Sequence, residues 1–308
     1  MKRNNSKSTR KSNRKKSPNQ ISYFKIKVIL VLFLAGVFGI IFSKYNFHQI
    51  KSITETPKSE IGKLPPDVKR ELAATSSATM RIPILLYHYV EYVQDKKDTI
   101  RQSLNINPYT FEQQVITLKD AGFTFMTAKE LGNVINGKTK LPNKPILLTF
   151  DDGHWDLDTA VLPILKKYNV KATAYIITGF IGWSDFMDKK QLQEVIDSGL
   201  VDVGAHTVHH VALKGEPFSL VKNEVDQSKQ MLEDIYHISV VSFAYPGGSL
   251  DKQAISLVKE AGFTTAVSTI PGVEQNQQNE LFLYRIRPGY RTGEALLTYL
   301  QQTKFKPY

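Results

Sequence analysis

The sequence predicts an α/β fold with a parallel sheet, closed into a barrel or left as a large open sheet, behind an N-terminal membrane segment. Three observations lead there. Short apolar runs alternate with amphipathic stretches from residue 81 onward. Glycine or asparagine recurs where an amphipathic stretch gives way to an apolar run, at Gly122, Asn169, Gly199 and Gly262, where a helix end needs φ > 0. Seven or eight such units in roughly 225 residues suit a parallel barrel or a doubly wound sheet.

Composition narrows the classes further. Of 308 residues, 42% are hydrophobic, enough for a large core and too many for a mostly disordered chain. The formal net charge of +11 is a property of the tail: the first 27 residues hold ten Lys/Arg and no acid. The other 281 carry 30 basic and 29 acidic groups, so no basic groove for nucleic acid is expected. Cysteine is absent, which excludes disulfides, thiolate metal sites and a cysteine nucleophile.

Taken in order, residues 1–20 read as a basic cytoplasmic tail, and residues 21–43 as an uncleaved transmembrane anchor built on the apolar run Val28–Phe42. Phe42-Ser43-Lys44-Tyr45 offers no small-x-small cleavage site. Residues 44–80, broken by Pro57, Pro65 and Pro66, form a stem. Everything after the anchor then faces outward. The expected partner is a membrane, through one helix, with the chain itself a monomer.

In the domain 81–308 the expected strands are Ile82–Tyr87, Phe123–Met126, Pro145–Phe150, Ala172–Ile176, Val201–Ala205, Val241–Ala244, Thr265–Ser268 and Leu281–Ile286. Expected helices cover Thr110–Ala121, Ala128–Asn136, Leu157–Lys167, Lys189–Ser198, Leu220–Tyr236 and Lys252–Ala261.

The chemistry-bearing residues cluster just past the strand ends. The strand ending at Phe150 runs into Asp151-Asp152-Gly153, the one ending at Ala205 into His206-Thr-Val-His209-His210, and the first into His88; Tyr245-Pro-Gly-Gly248 comes directly after Ala244. In parallel α/β folds the carboxyl ends of strands form the reaction face. Singly these are a turn, surface imidazoles and a tight loop, and His209 reads as turned away from its neighbour. Together, two imidazoles and a carboxylate make the three-ligand set of a catalytic divalent ion. Such an ion lowers the pKa of water and polarises a carbonyl. A second carboxylate and another histidine could then move protons. Those are the parts for hydrolysing an amide or ester. The His-Glu-x-x-His pattern of a metalloprotease helix is missing.

Here the sequence resembles the NodB-like polysaccharide deacetylases. Leu148-Thr-Phe-Asp-Asp-Gly153 is similar to that family's first motif and His206-Thr-Val-His-His210 to its metal motif. Pro83–His88 and Phe243–Gly247 resemble the subgroup that de-N-acetylates poly-N-acetylglucosamine and related cell-surface glycans. The resemblance implies a distorted parallel (β/α) barrel of seven to eight strands. It implies Asp151 as base, Asp152, His206 and His210 as ligands of one divalent ion (zinc first; cobalt, nickel or iron also suit), His88 as acid and the Tyr245 backbone N–H as oxyanion donor. The family's Arg-x-x-Pro-Tyr arginine and late histidine are absent, since no histidine occurs after His237. Arg285 is then the candidate to orient Asp151, and His154 and Trp155 are candidates to shape a sugar subsite. A peptidoglycan N-acetylglucosamine deacetylase and an inactive glycan-binding relative are the alternatives.

Overall fold

The computed structural model describes residues 63–68, 78–95, 97–302 and 304–305. The tail and anchor expected over 1–20 and 21–43 lie outside them, as does most of the stem. Among the described residues no helix is long and apolar enough to cross a membrane.

Eight strands form one parallel sheet: β1 (Ile84–Tyr87), β2 (Thr124–Met126), β3 (Pro145–Phe150), β4 (Ala172–Ile176), β5 (Val201–Ala205), β6 (Ser242–Ala244), β7 (Thr265–Pro271) and β8 (Leu283–Arg285). Seven of them run round a ring in the order β8-β7-β6-β5-β4-β3-β1. The ring closes where Leu86 N donates to Ile286 O and Ile286 N to Ile84 O, both 2.9 Å. The eighth, β2, pairs with Pro145–Leu147 of β3, so β4 reaches β3 only at Thr149 and Phe150. This wedge distorts the barrel.

Alternation along the strands explains their continuous apolar character, because both faces are covered. Ile146, Leu148 and Phe150 of β3 pack outward with helix residues such as Val115, Leu118 and Leu165. Leu147 belongs to a separate inner cluster with Ile84, Tyr175, Ala244, Val267 and Leu283. Below the site the lumen turns polar. Thr149 Oγ1 donates to Leu85 O at 2.7 Å, and Ser268 Oγ to Leu283 O at 3.1 Å.

The helices are α1 (Thr99–Leu104), α2 (Pro108–Asp120), α3 (Ala128–Ile135), α4 (Leu162–Tyr168), α5 (Lys189–Asp197), α6 (Phe218–Tyr236), α7 (Lys252–Glu260) and α8 (Gly293–Gln301). Three differences from the sequence reading have local causes. Strand β1 starts at Ile84, after Pro83, which has no N–H for a ladder. The helix expected from Leu157 opens as a π-turn over Leu157–Val161, with Leu162 N–H bonding Leu157 O, because Pro163 cannot donate inside a regular first turn. Helices α1 and α8 were not expected; α1 is short, buries no residue, and depends on Asp98 capping Arg101 N at 2.9 Å.

Candidate active site

The rim at the carboxyl ends of the strands gathers Asp151, Asp152, His88, His206, His210 and Arg285. Asp151 and Asp152 leave β3 through a sharp turn in which Asp152 takes φ 77° and Gly153 φ 84°. Gly153 is needed there, since a Cβ would lie 3.0 Å from Ile176 Cδ1. Thr207 and His210 also adopt positive φ, 64° and 59°. Non-glycine residues rarely sit there, and such backbone is characteristic of sites where geometry is functional.

The ligating atoms of Asp152, His206 and His210 lie within 4.8 Å of one another. Both His206 Nε2 and His210 Nε2 stand 3.4 Å from Asp152 Oδ1. His206 Nδ1 faces Ala244 O at 2.7 Å; a carbonyl only accepts, so Nδ1 carries hydrogen and a neutral ring turns its Nε2 lone pair to Oδ1. Oδ1 is buried without a hydrogen-bond partner. An orphaned carboxylate oxygen facing two imidazole nitrogens is the donor set of a divalent cation, and the residues fit a metal of the His₂Asp type. The electrostatics agree. Burial opposes the charge on Asp152, yet the surrounding histidines hold its carboxyl well below the ordinary value. Burial also opposes charge on His206, but the flanking Asp152 and Asp151 carboxylates raise it; the same field draws a cation to Nε2. Burial pushes His210 down to about 4.

Asp151 has a different environment. Arg285, wholly buried at the end of β8, donates from Nη1 to Asp151 Oδ1 and from Nη2 to Oδ2, both 2.7 Å. Arg285 Nε donates to Ser268 O at 2.8 Å, and Nη1 also reaches Thr149 Oγ1 at 3.1 Å. Burial alone would raise the Asp151 carboxyl; the guanidinium fork outweighs it and holds the group below its ordinary value. His88 comes after β1, with a buried Nδ1 that has no hydrogen-bond partner. Burial brings His88 down to about 3, with Arg287 adding to the effect and Asp152 opposing it.

Two site expectations meet a different geometry. The Tyr245 N–H donates to Val267 O at 3.2 Å, where β6 runs on beside β7, and this bond engages the hydrogen assigned to the oxyanion. The Tyr245 ring is fully buried, its hydroxyl donating to Leu281 O at 2.9 Å. His154 does not line a sugar subsite either: only 4% exposed, it is sandwiched between Tyr89 and Phe186. Trp155, at 37%, is the member of that pair that reaches solvent.

The sequence reading missed Glu224. Buried on α6, its Oε2 accepts from Val208 N and His209 N, both 2.9 Å, and its Oε1 lies 2.7 Å from His209 Nδ1. It thereby clamps the loop that carries His206 and His210, and it turns the His209 ring away from them as expected. Its signal was an acid at helical spacing among Val221, Val225 and Leu232, all buried.

With this geometry, comparison with known proteins is informative. Residues 138–266 match the family described as polysaccharide deacetylase, and the chain carries a NodB-like polysaccharide deacetylase domain, a hydrolase acting on amide C–N bonds. The chain is 29% identical over 226 residues to YxkH of Bacillus subtilis (strain 168), which carries a polysaccharide deacetylase name; the match covers 73% of this chain and 77% of that one. It is 24% identical over 277 residues to the poly-beta-1,6-N-acetyl-D-glucosamine N-deacetylase of Staphylococcus aureus (strain MRSA252), covering 85% and 92%. The Streptococcus pyogenes deacetylase PplD, solved in complex with acetate, superposes with a TM-score of 0.67 at 28% identity, over 73% of this chain and 100% of that one.

Proposed function

We propose that this protein removes N-acetyl groups from N-acetylglucosamine residues of a cell-surface glycan, releasing acetate, with one divalent ion held by Asp152, His206 and His210. The observation that carries the reading is the orphaned Asp152 Oδ1 facing two imidazole nitrogens beside an arginine-forked second carboxylate. The staphylococcal relatives named for poly-beta-1,6-N-acetyl-D-glucosamine, and the acetate complexed with PplD, support the substrate class. The lysine-rich start and the apolar run Val28–Phe42 support a single-pass anchor with the domain on the outer face.

When bound, the ion polarises the acetamide carbonyl and makes water acidic enough to attack at neutral pH. The chain supplies the proton handling. Asp151, kept ionised by Arg285, accepts a proton from the attacking water while the fork prevents its carboxylate from rotating. His88 is uncharged at rest, so it delivers a proton to the departing nitrogen only after receiving one within the cycle; Asp151 is the source. One water is consumed, the C–N bond breaks, the acyl carbon leaves as acetate and the amine keeps the transferred proton. Such acid–base steps contribute ~10²–10⁴ in rate each.

The test uses the full chain loaded with zinc and offers poly-β-1,6-N-acetylglucosamine, β-1,4-linked N-acetylglucosamine oligomers and peptidoglycan in parallel. Acetate and free amine should appear in equal amounts, fastest on the β-1,6 polymer, and Asp151→Asn should bind zinc yet show no turnover. Stoichiometric zinc with no acetate from any substrate would make this a glycan-binding relative instead.

A further inference from the structure

The loops that leave β1 and β8, the two strands on which the ring closes, carry a feature that the chemistry of the site does not use. A cleft of about 650 Å³ lies between them, with Tyr92 from one loop and Tyr290 from the other among its lining residues. Both rings are exposed, at 62% and 59%, yet the loop that presents Tyr290 is fixed from beneath. The wholly buried Gln114 of α2 donates from Nε2 to Gly289 O at 2.7 Å and to Arg291 O at 2.8 Å, on either side of Tyr290. Its Oε1 accepts from the Tyr87 hydroxyl at 2.8 Å. Tyr87 ends β1 and directly precedes His88, so one buried amide ties the Tyr290 loop to the strand that delivers His88. Across the cleft, Asn105 locks the other loop: Glu91 N donates to its Oδ1 at 3.1 Å and its Nδ2 donates to Glu91 O at 2.9 Å. The lining is otherwise rich in amides. Gln94 and Gln102 spend their Nε2 on Tyr92 O and Asp95 O, and Asn107 its Oδ1 on Thr110 N. Among the described residues, no protein group takes the Oε1 atoms of those glutamines or the Nδ2 of Asn107. Glu91 is the one charged group lining the cleft, and Arg101 pairs with it at 3.2 Å.

We propose that this cleft is an accessory sugar site, which holds an uncharged stretch of the glycan beyond the residue whose amide is cleaved. Tyr290 stacks on the apolar C–H face of a pyranose ring, and the amide atoms of Gln94, Gln102 and Asn107 bond its hydroxyl and acetamido groups. The inference rests on the deacetylase reading proposed above and deepens it. A pyranose is apolar on its faces and polar round its edge, so it gains from covering an exposed aromatic ring while its edge needs both donors and acceptors. Amides supply the two kinds together. A ring held on a fixed loop loses little freedom when the sugar binds, and that rigidity raises affinity. With its one carboxylate already paired, the cleft has no charge to offer a phosphate or a polyanion. A neutral polymer already threaded through the neighbouring site is the occupant that matches.

The experiment offers the full chain fully N-acetylated β-1,6-linked N-acetylglucosamine oligomers of increasing length, for wild type, Tyr290→Ala and Tyr290→Phe. Zinc-loaded protein gives a KM for each oligomer, and metal-free protein gives a Kd by calorimetry. In the wild type both should fall as the oligomer lengthens. Tyr290→Ala should raise both about tenfold on the longest oligomer and flatten the dependence on length, with the melting temperature unchanged. Tyr290→Phe, which keeps the ring and deletes only the hydroxyl, should retain that dependence. KM and Kd that ignore oligomer length, a Tyr290→Ala protein that matches wild type on the longest oligomer, or equal losses in the two variants would remove the sugar site and leave the deacetylase reading standing. Length-dependent binding that needs the Tyr290 ring, with no acetate released from any oligomer, would keep the sugar site and remove the deacetylase reading instead.

Discussion

The Arg285–Asp151 fork is the feature of the site most open to a direct test. Arg285→Met removes a guanidinium that donates to Asp151 through two bonds, to Ser268 O and to Thr149 Oγ1, and leaves a carboxylate only 3% exposed without its counter-ion. Breaking a buried pair by deleting one partner costs about 3–5 kcal/mol. For a domain of this size that corresponds to a melting temperature lower by about 6–20 °C. The pH dependence gives an independent sign. In the wild type the folded carboxyl lies below its ordinary 3.8, so the pair's contribution is present above that value and is lost as pH falls through the lower, folded one. In the variant burial is opposed only by the neighbouring His206 and His88, the folded value rises, and the penalty grows with increasing pH instead. Thermal melts of both proteins between pH 4 and 8 should therefore diverge, with the deficit larger at pH 8. The acidic limb of the activity profile should move upward in the variant. Adding Arg285→Met to Asp151→Asn should cost less than adding it to wild type. A deficit below about 1 kcal/mol, or one independent of pH, would refute the view that Arg285 holds Asp151 ionised.

The same geometry sets other outcomes. Glu224→Ala leaves the Val208 and His209 N–H groups without their acceptor, at about 1–3 kcal/mol for each group stranded in the interior; zinc competition should show weaker binding, and undiminished affinity would deny Glu224 its clamping role. Gly153→Ala must accept φ 84° and a contact of 3.0 Å with Ile176, so urea melts should show a loss of about 1–2 kcal/mol together with a fall in turnover. Asp202, far from the chemistry on β5, is raised by burial to about 6, and its Oδ2 is buried without a hydrogen-bond partner. A raised folded value favours the fold below 3.8 and loses that advantage as pH rises through 6. Asp202→Asn should thus be more stable than wild type at pH 7.5, by at most about 3 kcal/mol, with the gain vanishing near pH 4. A gain that is constant across pH would argue against burial as the cause.

How much of this was legible beforehand depends on distance along the chain. The strands announced themselves as contiguous apolar runs, because both faces of a closed parallel sheet are covered. The candidate metal set was legible for a related reason: the Asp151-Asp152 pair and the histidines of 206–210 lie just past strands, and a parallel sheet delivers all strand ends to one rim. The choice of Asp152, His206 and His210 among them came from the family resemblance. Helix ends marked by Gly122, Gly199, Gly262 and Asn169 were local as well. Helix α1 was not legible: it is six residues long and buries none of them.

By itself, then, the sequence determined the α/β alternation, the barrel's polarity and the residues of the candidate metal triad, since each is encoded in local motifs. The tertiary structure alone decided who touches whom across long separations. Arg285, already the candidate to orient Asp151, meets that carboxylate 134 residues away through two bonds, a geometry that exists because β8 closes on β1 beside β3. Glu224 reaches the His206–His210 loop from a helix, and His154 is turned inward by rings from two other segments. The Tyr245 N–H is taken by the neighbouring strand. Side-chain partnerships of this kind arise from ring closure and packing, and no spacing along the chain records them.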